Sequence, residues 1–477
     1  MTLPPLKVVP VFVVTFGVLL TLVFGYLATQ GGPLAYVAAP LLIAGGALFL
    51  ITTNRPLLLF PIVAVLSTFI YAVPLAGAQV IAADLVVGCI VLTWATSSSR
   101  LAMTREAWRV VVPLAALVIM CLATVPVSHD PRFGLVKVIQ RVEFLLFLAG
   151  CAALLRDRIV MRRTLDAYIY ACVALAVVTL LFAAARGVPR GGVTDIFFYN
   201  KNSIASFMSM GLPVVAARFL FKASPHRLRW VMLALLLIVA LLLTGSRGAW
   251  IGTIVALGVL TGLKNKASLT RYIAVGVIAL IALNSLLPSD LTRISDISES
   301  YSATLSSPTA NADVGGTVLS RLVLWRDALK IIAAHPYLGV GVGGYISFDS
   351  YGGNTINFNS TDPHNSFLYM WAELGTPGLI IFVWLLASIL RSANAARRMT
   401  RGSPDYWLAA GCLSAIVSYL VFTLTEPIWV RGDGLAFFLL VGMTINLAAG
   451  SIGQAGKTDV LVPGAAPPRY RGLQGDR

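Results

Sequence analysis

Charge is scarce in this sequence, and that scarcity excludes most soluble architectures. Of 477 residues only 12% are charged and 58% are hydrophobic, and the mean hydropathy is +0.84. Ordinary soluble domains carry about 25% charged residues. Paired cysteines are also missing. The five present, Cys89, Cys121, Cys151, Cys172 and Cys412, each fall inside an apolar run with no paired spacing, which excludes a disulfide framework and reads as buried packing. No HExxH, paired CxxC or aspartate-x-aspartate stretch occurs, so metal catalysis finds little support and no cofactor is expected. Asp290, Asp296 and Glu299, in "SDLTRISDISES", form the nearest acidic group and read as solvated loop residues. No repeat of fixed period stands out, and there are only four histidines.

Long apolar stretches are abundant. Many run for about 16 to 25 residues, enough to cross a bilayer as a helix. The fold class expected is all-α: a polytopic bundle of 12 to 14 transmembrane helices in the membrane. Candidate spans are 8–28, 33–51, 56–73, 79–96, 108–126, 137–155, 163–185, 204–221, 230–243, 249–263, 272–287, 367–390, 406–425 and 435–450. The first follows only Lys7, is long for a signal-peptide core and lacks a small-x-small cleavage site close behind, so it reads as a retained span. With a cytoplasmic N-terminus, alternate connections hold Arg100/Arg105/Arg109, Arg156/Arg158/Arg162/Arg163, Lys222/Arg227/Arg229, Lys264/Lys266/Arg271 and Arg391/Arg397/Arg398/Arg401. Every basic cluster then lands on one side, which sets the orientation by the positive-inside rule. The net charge of +16 is thereby explained by cytoplasmic loops, and nucleic acid is not expected as a partner. The layout divides into an N-terminal bundle (1–287), a large outer loop (288–363), C-terminal spans (364–450) and a Pro/Gly/Arg-rich cytoplasmic tail (451–477) that reads as disordered.

The outer loop far exceeds the usual length of a helix connection. Within it, 316–334 ("GTVLSRLVLWRDALKIIAA") places Val318, Leu319, Leu322, Val323, Trp325, Leu329 and Ile332 at helical spacing. That pattern predicts an amphipathic helix lying along the outer leaflet or on the bundle. The helix should end at His335-Pro336, because proline disfavours helical geometry in the residue before it. Gly339, Gly341, Gly343 and Gly344 follow. They suit either close backbone approach to a ligand or a flexible linker.

The outer side should be poor in cations, yet Arg141, Arg186, Arg190, Lys201, Arg247, Arg321, Arg326 and Arg431 all map there at span edges or on the loop helix. Charge near hydrocarbon costs about 2.5–3.5 kcal/mol per residue at mid-helix and less near the interface. Some have carboxylate neighbours in sequence: Glu143 for Arg141, Asp327 for Arg326 and Asp433 for Arg431. Arg190, Arg247 and Arg321 have none close by, and a shared anion would satisfy all three. A guanidinium fork matches phosphate oxygens, so the diphosphate of a lipid-linked sugar is the natural candidate. His364 falls on the same face, directly before a span, where an imidazole can take a proton from a hydroxyl. The alternative is a helix-start residue without chemistry, with Asn365 or Ser366 as the cap. His335 is a second candidate base, and Asp362 or Glu373 are candidates to orient His364. A transporter would instead require ionisable residues near mid-membrane. Asp84 is the best mid-span charge and is nearly alone.

The stretches "NKNSIASFMSMGLP", "LLLTGSRGAWIG", "SRLVLWRDALKIIAAHPYLGVGVGGY" and "DPHNSFLYMWAELGTPGLIIF" together resemble the O-antigen ligase/polymerase superfamily, and within it most of all O-antigen ligase. The resemblance covers roughly 190–390 in motif and the whole chain in layout. It implies a GT-C-like, metal-independent, inverting glycosyltransferase in the bacterial inner membrane, with its active site facing the periplasm. The donor implied is undecaprenyl diphosphate-linked O-antigen, and the acceptor is the lipid A–core oligosaccharide. The family's base carries over onto His364, its loop-helix arginine onto Arg321 and its "SRG" arginine onto Arg247. Arg190 and Arg141 rest on charge placement alone, with Lys201, His335, Asn365 and Asp362 as supporting candidates. The chain has a single histidine before Asn365 rather than a pair. An O-antigen polymerase, a protein O-oligosaccharyltransferase and a transporter of an anionic lipid-linked substrate remain as alternatives.

Overall fold

A computed structural model describes residues 56–68, 72–75, 78–97, 103–187, 200–222, 227–272, 318–345, 362–427 and 432–450, with residues 274 and 429. The helices are α1 (Leu59–Leu66), α2 (Ala82–Thr96), α3 (Arg105–Thr124), α4 (Pro131–Leu154), α5 (Arg158–Arg186), α6 (Lys201–Phe221) and α7 (Arg227–Leu243). They continue with α8 (Arg247–Lys264), α9 (Val318–Ala334), α10 (Ser366–Met399), α11 (Tyr406–Phe422) and α12 (Gly432–Ala448). Four are long and apolar enough to cross a membrane: Arg105–Val127, Arg158–Arg186, Lys201–Phe221 and Ser366–Met399, with shorter apolar helices at Ala82–Thr96, Tyr406–Phe422 and Gly432–Ala448. The expected spans 8–28, 33–51 and most of 272–287 lie outside the described residues, as do Arg190, Arg431 and the tail after Ser451.

One departure from an all-helical chain is a short antiparallel hairpin, β1 (Ala72–Leu75) and β2 (Ala78–Ile81), with Ala72 opposite Ile81. It occupies the end of one expected span and the start of the next, which shortens both helices.

Helix starts follow local chemistry. Thr104, Asp130, Asp157, Asn200 and Asn365 each cap a helix through a side-chain oxygen that accepts a backbone N–H. The bundle core is built from α10, α11 and α12 packed against α3, α4, α6 and α8. Close approach of α8 and α11 depends on Gly248 and Gly252, one turn apart: a Cβ at Gly252 would sit 2.5 Å from the Ser418 carbonyl oxygen. This is the small-residue packing that lets membrane helices press together.

The loop helix α9 is described from Val318, ends at Ala334 just before His335-Pro336, as expected, and packs on α10. Among the described side chains of α9, Leu324, Ala328, Ile331 and Ile332 are buried, whereas Leu329, expected on the apolar face, is exposed; those of Val318, Leu319, Leu322 and Val323 lie outside the description. The glycines that follow pack against protein. Gly339 (φ 64°) and Gly341 (φ 84°) adopt left-handed backbone, and a Cβ there would lie 2.4 Å from the Ala372 oxygen and 2.5 Å from the Ser128 nitrogen. Val340 N–H donates to the Ala372 oxygen (2.9 Å), and Thr376 N–H donates to the Pro336 oxygen (2.8 Å). That last bond falls where α10 is kinked at Gly375. The segment thus plugs onto the bundle, so ligand approach and a free linker both give way to a scaffold role.

Candidate active site

The C-terminal end of α11 and the N-terminal end of α10 are stitched together. Ser366 N–H donates to the Thr423 carbonyl at 2.9 Å, and Ser366 Oγ donates to the Glu426 carbonyl at 2.8 Å. Asn365 Oδ1 accepts from Phe367 N and Leu368 N (3.0 and 3.1 Å), so Asn365 is the helix cap and His364 is left outside the helix. His364 has a φ of 47°, a conformation that is uncommon for a non-glycine residue and often found where function constrains the backbone. Its backbone N–H donates to Asp362 Oδ1 at 2.8 Å. The carbonyl before it, on Pro363, accepts from Trp325 Nε1 of α9 at 2.9 Å. Bonds from α9 and from the end of α11, with the local Asp362 turn, therefore fix the backbone that carries the imidazole.

The imidazole meets a carboxylate that sequence reading overlooked. His364 Nδ1 lies 3.1 Å from Glu426 Oε2 and 3.7 Å from Asp362 Oδ1. Glu426 is nearly enclosed, with 6% of its side chain exposed, and its other oxygen accepts from Arg321 Nη2 at 2.9 Å. One carboxylate thus bridges a titrating ring and a guanidinium. Burial alone would lower the His364 pKa, but the hydrogen bond and charge of Glu426, with Asp362 behind them, outweigh burial and hold it above the ordinary 6.5. Burial raises the Asp362 carboxyl, against the opposing pull of His364 and Lys137.

Arg247 opens α8 beside this cluster. A Cβ at the adjacent Gly248 would lie 1.8 Å from Thr425 Oγ1, so the helix start abuts the residue preceding Glu426. Lys201 opens α6, which runs alongside α8 and α11 with its start at the same end of the bundle. Arg141 is deeper, with 6% exposure. Its guanidinium stands 5.4 Å from the Trp429 ring. Glu143, its carboxylate neighbour in sequence, instead shares a hydrogen bond with Asp84. Asp84 itself belongs to the first turn of α2, accepting from Ile81 N–H at 2.8 Å, and so is not a mid-helix charge. Arg326 pairs with Asp327 at 3.5 Å on an exposed face, as its sequence neighbour suggested. Glu373 is engaged elsewhere, within hydrogen-bonding reach of Gly343 N–H and the Tyr369 hydroxyl. His335 lies at the far end of α9, about 20 Å along the helix from Arg321, lining an open cavity of about 450 Å³ with His129 and Tyr337. Of the residues named from sequence, the described structure brings His364, Asp362, Asn365, Arg321 and Arg247 together and leaves His335 apart.

The missed residue, Glu426, had one available signal: a lone carboxylate at the edge of an apolar run, in "TLTEPIW". Nothing in sequence tied it to a histidine 62 positions away.

A family model described as O-Antigen ligase matches residues 232–383. That range holds Arg247, Arg321 and His364 but stops short of Glu426. The chain is 24% identical over 220 residues to an O-antigen ligase of Salmonella typhimurium, covering 45% of this chain and 52% of that protein. It is 23% identical over 264 residues to an uncharacterized protein of Haemophilus influenzae, covering 53% of this chain and 65% of the other. The matches thus span between half and two thirds of each relative's length.

Proposed function

We propose, for a membrane protein that carries an O-antigen ligase family domain over residues 232–383, that it transfers a glycan from undecaprenyl diphosphate to a sugar hydroxyl of the lipid A–core oligosaccharide at the periplasmic face of the inner membrane. The observation that supports this most is Glu426 holding the His364 imidazole on one carboxylate oxygen and the Arg321 guanidinium on the other, with the start of α8 at Arg247 alongside.

The chemistry follows from that geometry. With its Nδ1–H directed at Glu426, neutral His364 carries its lone pair on Nε2. The acceptor hydroxyl gives its proton to Nε2 while its oxygen forms the new bond to the anomeric carbon. The bond from that carbon to the diphosphate oxygen breaks, and the leaving group departs with the electron pair from the opposite face, so configuration inverts. Arg321 commits one donor to Glu426 and has others for phosphate oxygens; Arg247 approaches the same volume from α8. A placed base contributes about 10²- to 10⁴-fold, and donors aimed at the departing charge add a few kcal/mol each.

The test is reconstitution of the purified protein with lipid-linked glycan and several acceptors. Product with lipid A–core as acceptor, and its loss in His364→Ala with membrane insertion retained, is expected. Transfer to a second copy of the donor glycan, or to a protein hydroxyl, would reassign the acceptor. Binding of the donor with no product on any acceptor would turn the reading towards transport.

A further inference from the structure

The end of the bundle opposite His364 gathers a second set of cations. Asp405 lies between α10 and α11, at the far end of both helices from Ser366 and Glu426. Around it meet the start of α5, the end of α6 and the start of α7. Asp405 is 3% exposed and accepts from Arg158 Nη1 at 2.6 Å and from Arg162 Nε at 2.9 Å. Arg218 pairs with Asp166, and its guanidinium is sandwiched between Trp230 and Trp407 at 4.3 and 4.8 Å from the ring centres. Lys222 reaches the same Trp407 ring at 5.7 Å. Arg229 stands 5.8 Å from Trp230 and 5.4 Å from Tyr170, whose hydroxyl it also contacts.

Two observations indicate that this set is incomplete. Five cations meet two carboxylates, and the Lys222 ammonium is held below its usual range by burial first and then by Arg218 and Arg162. In addition, the Nε atom of Arg158 is buried with no acceptor, where such donors are ordinarily satisfied. Directly beside the cluster, α7 presents Leu228, Met232, Leu235, Val239 and Leu242, all exposed and Leu228 at 74%. Their spacing traces one apolar stripe running away from Arg229 along the helix.

We propose that this end is a binding site for a phosphate-bearing anion, and specifically for the headgroup of an acidic phospholipid whose acyl chain lies along the α7 stripe. Guanidinium groups match phosphate oxygens in shape and charge. Tyr170, half-buried beside Arg229, is of the residue type that favours the depth at which headgroups meet hydrocarbon, whereas Trp230 and Trp407 are enclosed in the protein. On the orientation drawn from the basic loops this is the cytoplasmic leaflet, whose acidic lipids attract such clusters. The site is independent of the transfer reaction.

The experiment uses the full chain in phosphatidylcholine-containing micelles, with thermal unfolding as readout. Added phosphatidylglycerol should raise Tm above that given by the same amount of phosphatidylcholine. The double variant Lys222→Gln/Arg229→Gln, which leaves both Asp405 pairs intact, should need about tenfold more phosphatidylglycerol for the same shift. A second readout needs no variant: ³¹P counting of phosphatidylglycerol retained by the wild type should fall as salt is raised. Inorganic phosphate reproducing the shift on its own would assign the anion as soluble phosphate and overturn the lipid. No shift with either, a variant responding like the wild type, or salt-independent retention would overturn the site.

Discussion

The two ends of the helical bundle use the same side chains to different ends. At one, Arg321 and His364 share Glu426; at the other, Arg158 and Arg162 share Asp405. In both, a nearly enclosed carboxylate holds two partners. At the Asp405 end both partners are guanidiniums, which stay charged at any working pH, so neither partner of that carboxylate can pass a proton. At the Glu426 end one partner is an imidazole, which changes charge near neutrality. A single residue type turns a static ion cluster into a site fit for acid–base chemistry.

The contrast is broken most directly at the imidazole. His364→Ala should lower transfer by about 10²- to 10⁴-fold, whereas Arg162→Gln at the other end should leave transfer intact once folding is matched. Equal losses from both would dissolve the distinction. Next in size is Glu426→Gln, expected to cost roughly 10- to 100-fold, as loss of a partner orienting a functional imidazole does at metal sites. It also carries a pH signature. The base works unprotonated, so wild-type rate should rise with pH through a value above 6.5. Removing the carboxylate that raises this pKa should move the acidic limb to lower pH. An unmoved limb would remove Glu426 as the orienting group. The same pair has a stability consequence: its contribution is complete below the ordinary imidazole pKa and fades as pH rises through the raised one.

Arg321→Lys keeps the charge but loses the fork, and should weaken donor use by about tenfold, the worth of one charge-assisted hydrogen bond. Donor affinity measured apart from turnover would check it; unchanged affinity would separate Arg321 from the diphosphate. Two glycines then compare the ends by packing alone. Gly339 and Gly402 both have positive φ, but a Cβ at Gly339 meets backbone at 2.4 Å while Gly402 faces nothing within 4 Å. Gly339→Ala should therefore lower Tm well beyond Gly402→Ala, whose cost is the left-handed strain of about 1–2 kcal/mol. Similar losses would show that the plug on α10 is loose. Smallest of all is Arg326→Ala, since its exposed pair with Asp327 should be worth under about 1 kcal/mol; thermal unfolding would reveal any larger effect.

Much of the layout was legible because membrane insertion is dictated by composition. Apolar length fixed where α3, α5, α6 and α10 lie, and the proline after His335 fixed where α9 ends. The short hairpin at Ala72–Ile81 was not legible, because an apolar run of that size reads as helix or strand alike. Nor was the role of the glycines at Gly339 and Gly341, since a glycine required by a neighbouring backbone looks in sequence like one required by a ligand.

The sequence by itself determined that this chain belongs in a membrane, and it singled out His364, Arg321 and Arg247 as residues out of keeping with their surroundings. Local rules suffice for that, because hydrophobic length, helix stops and misplaced charge are properties of short segments. Only the tertiary structure decided that Glu426 is the partner of His364 and Arg321, that Arg141 sits against Trp429 rather than Glu143, and that Asp84 faces Glu143. Those pairings depend on which faces of distant helices meet, and packing of the whole bundle sets the rotation of each helix.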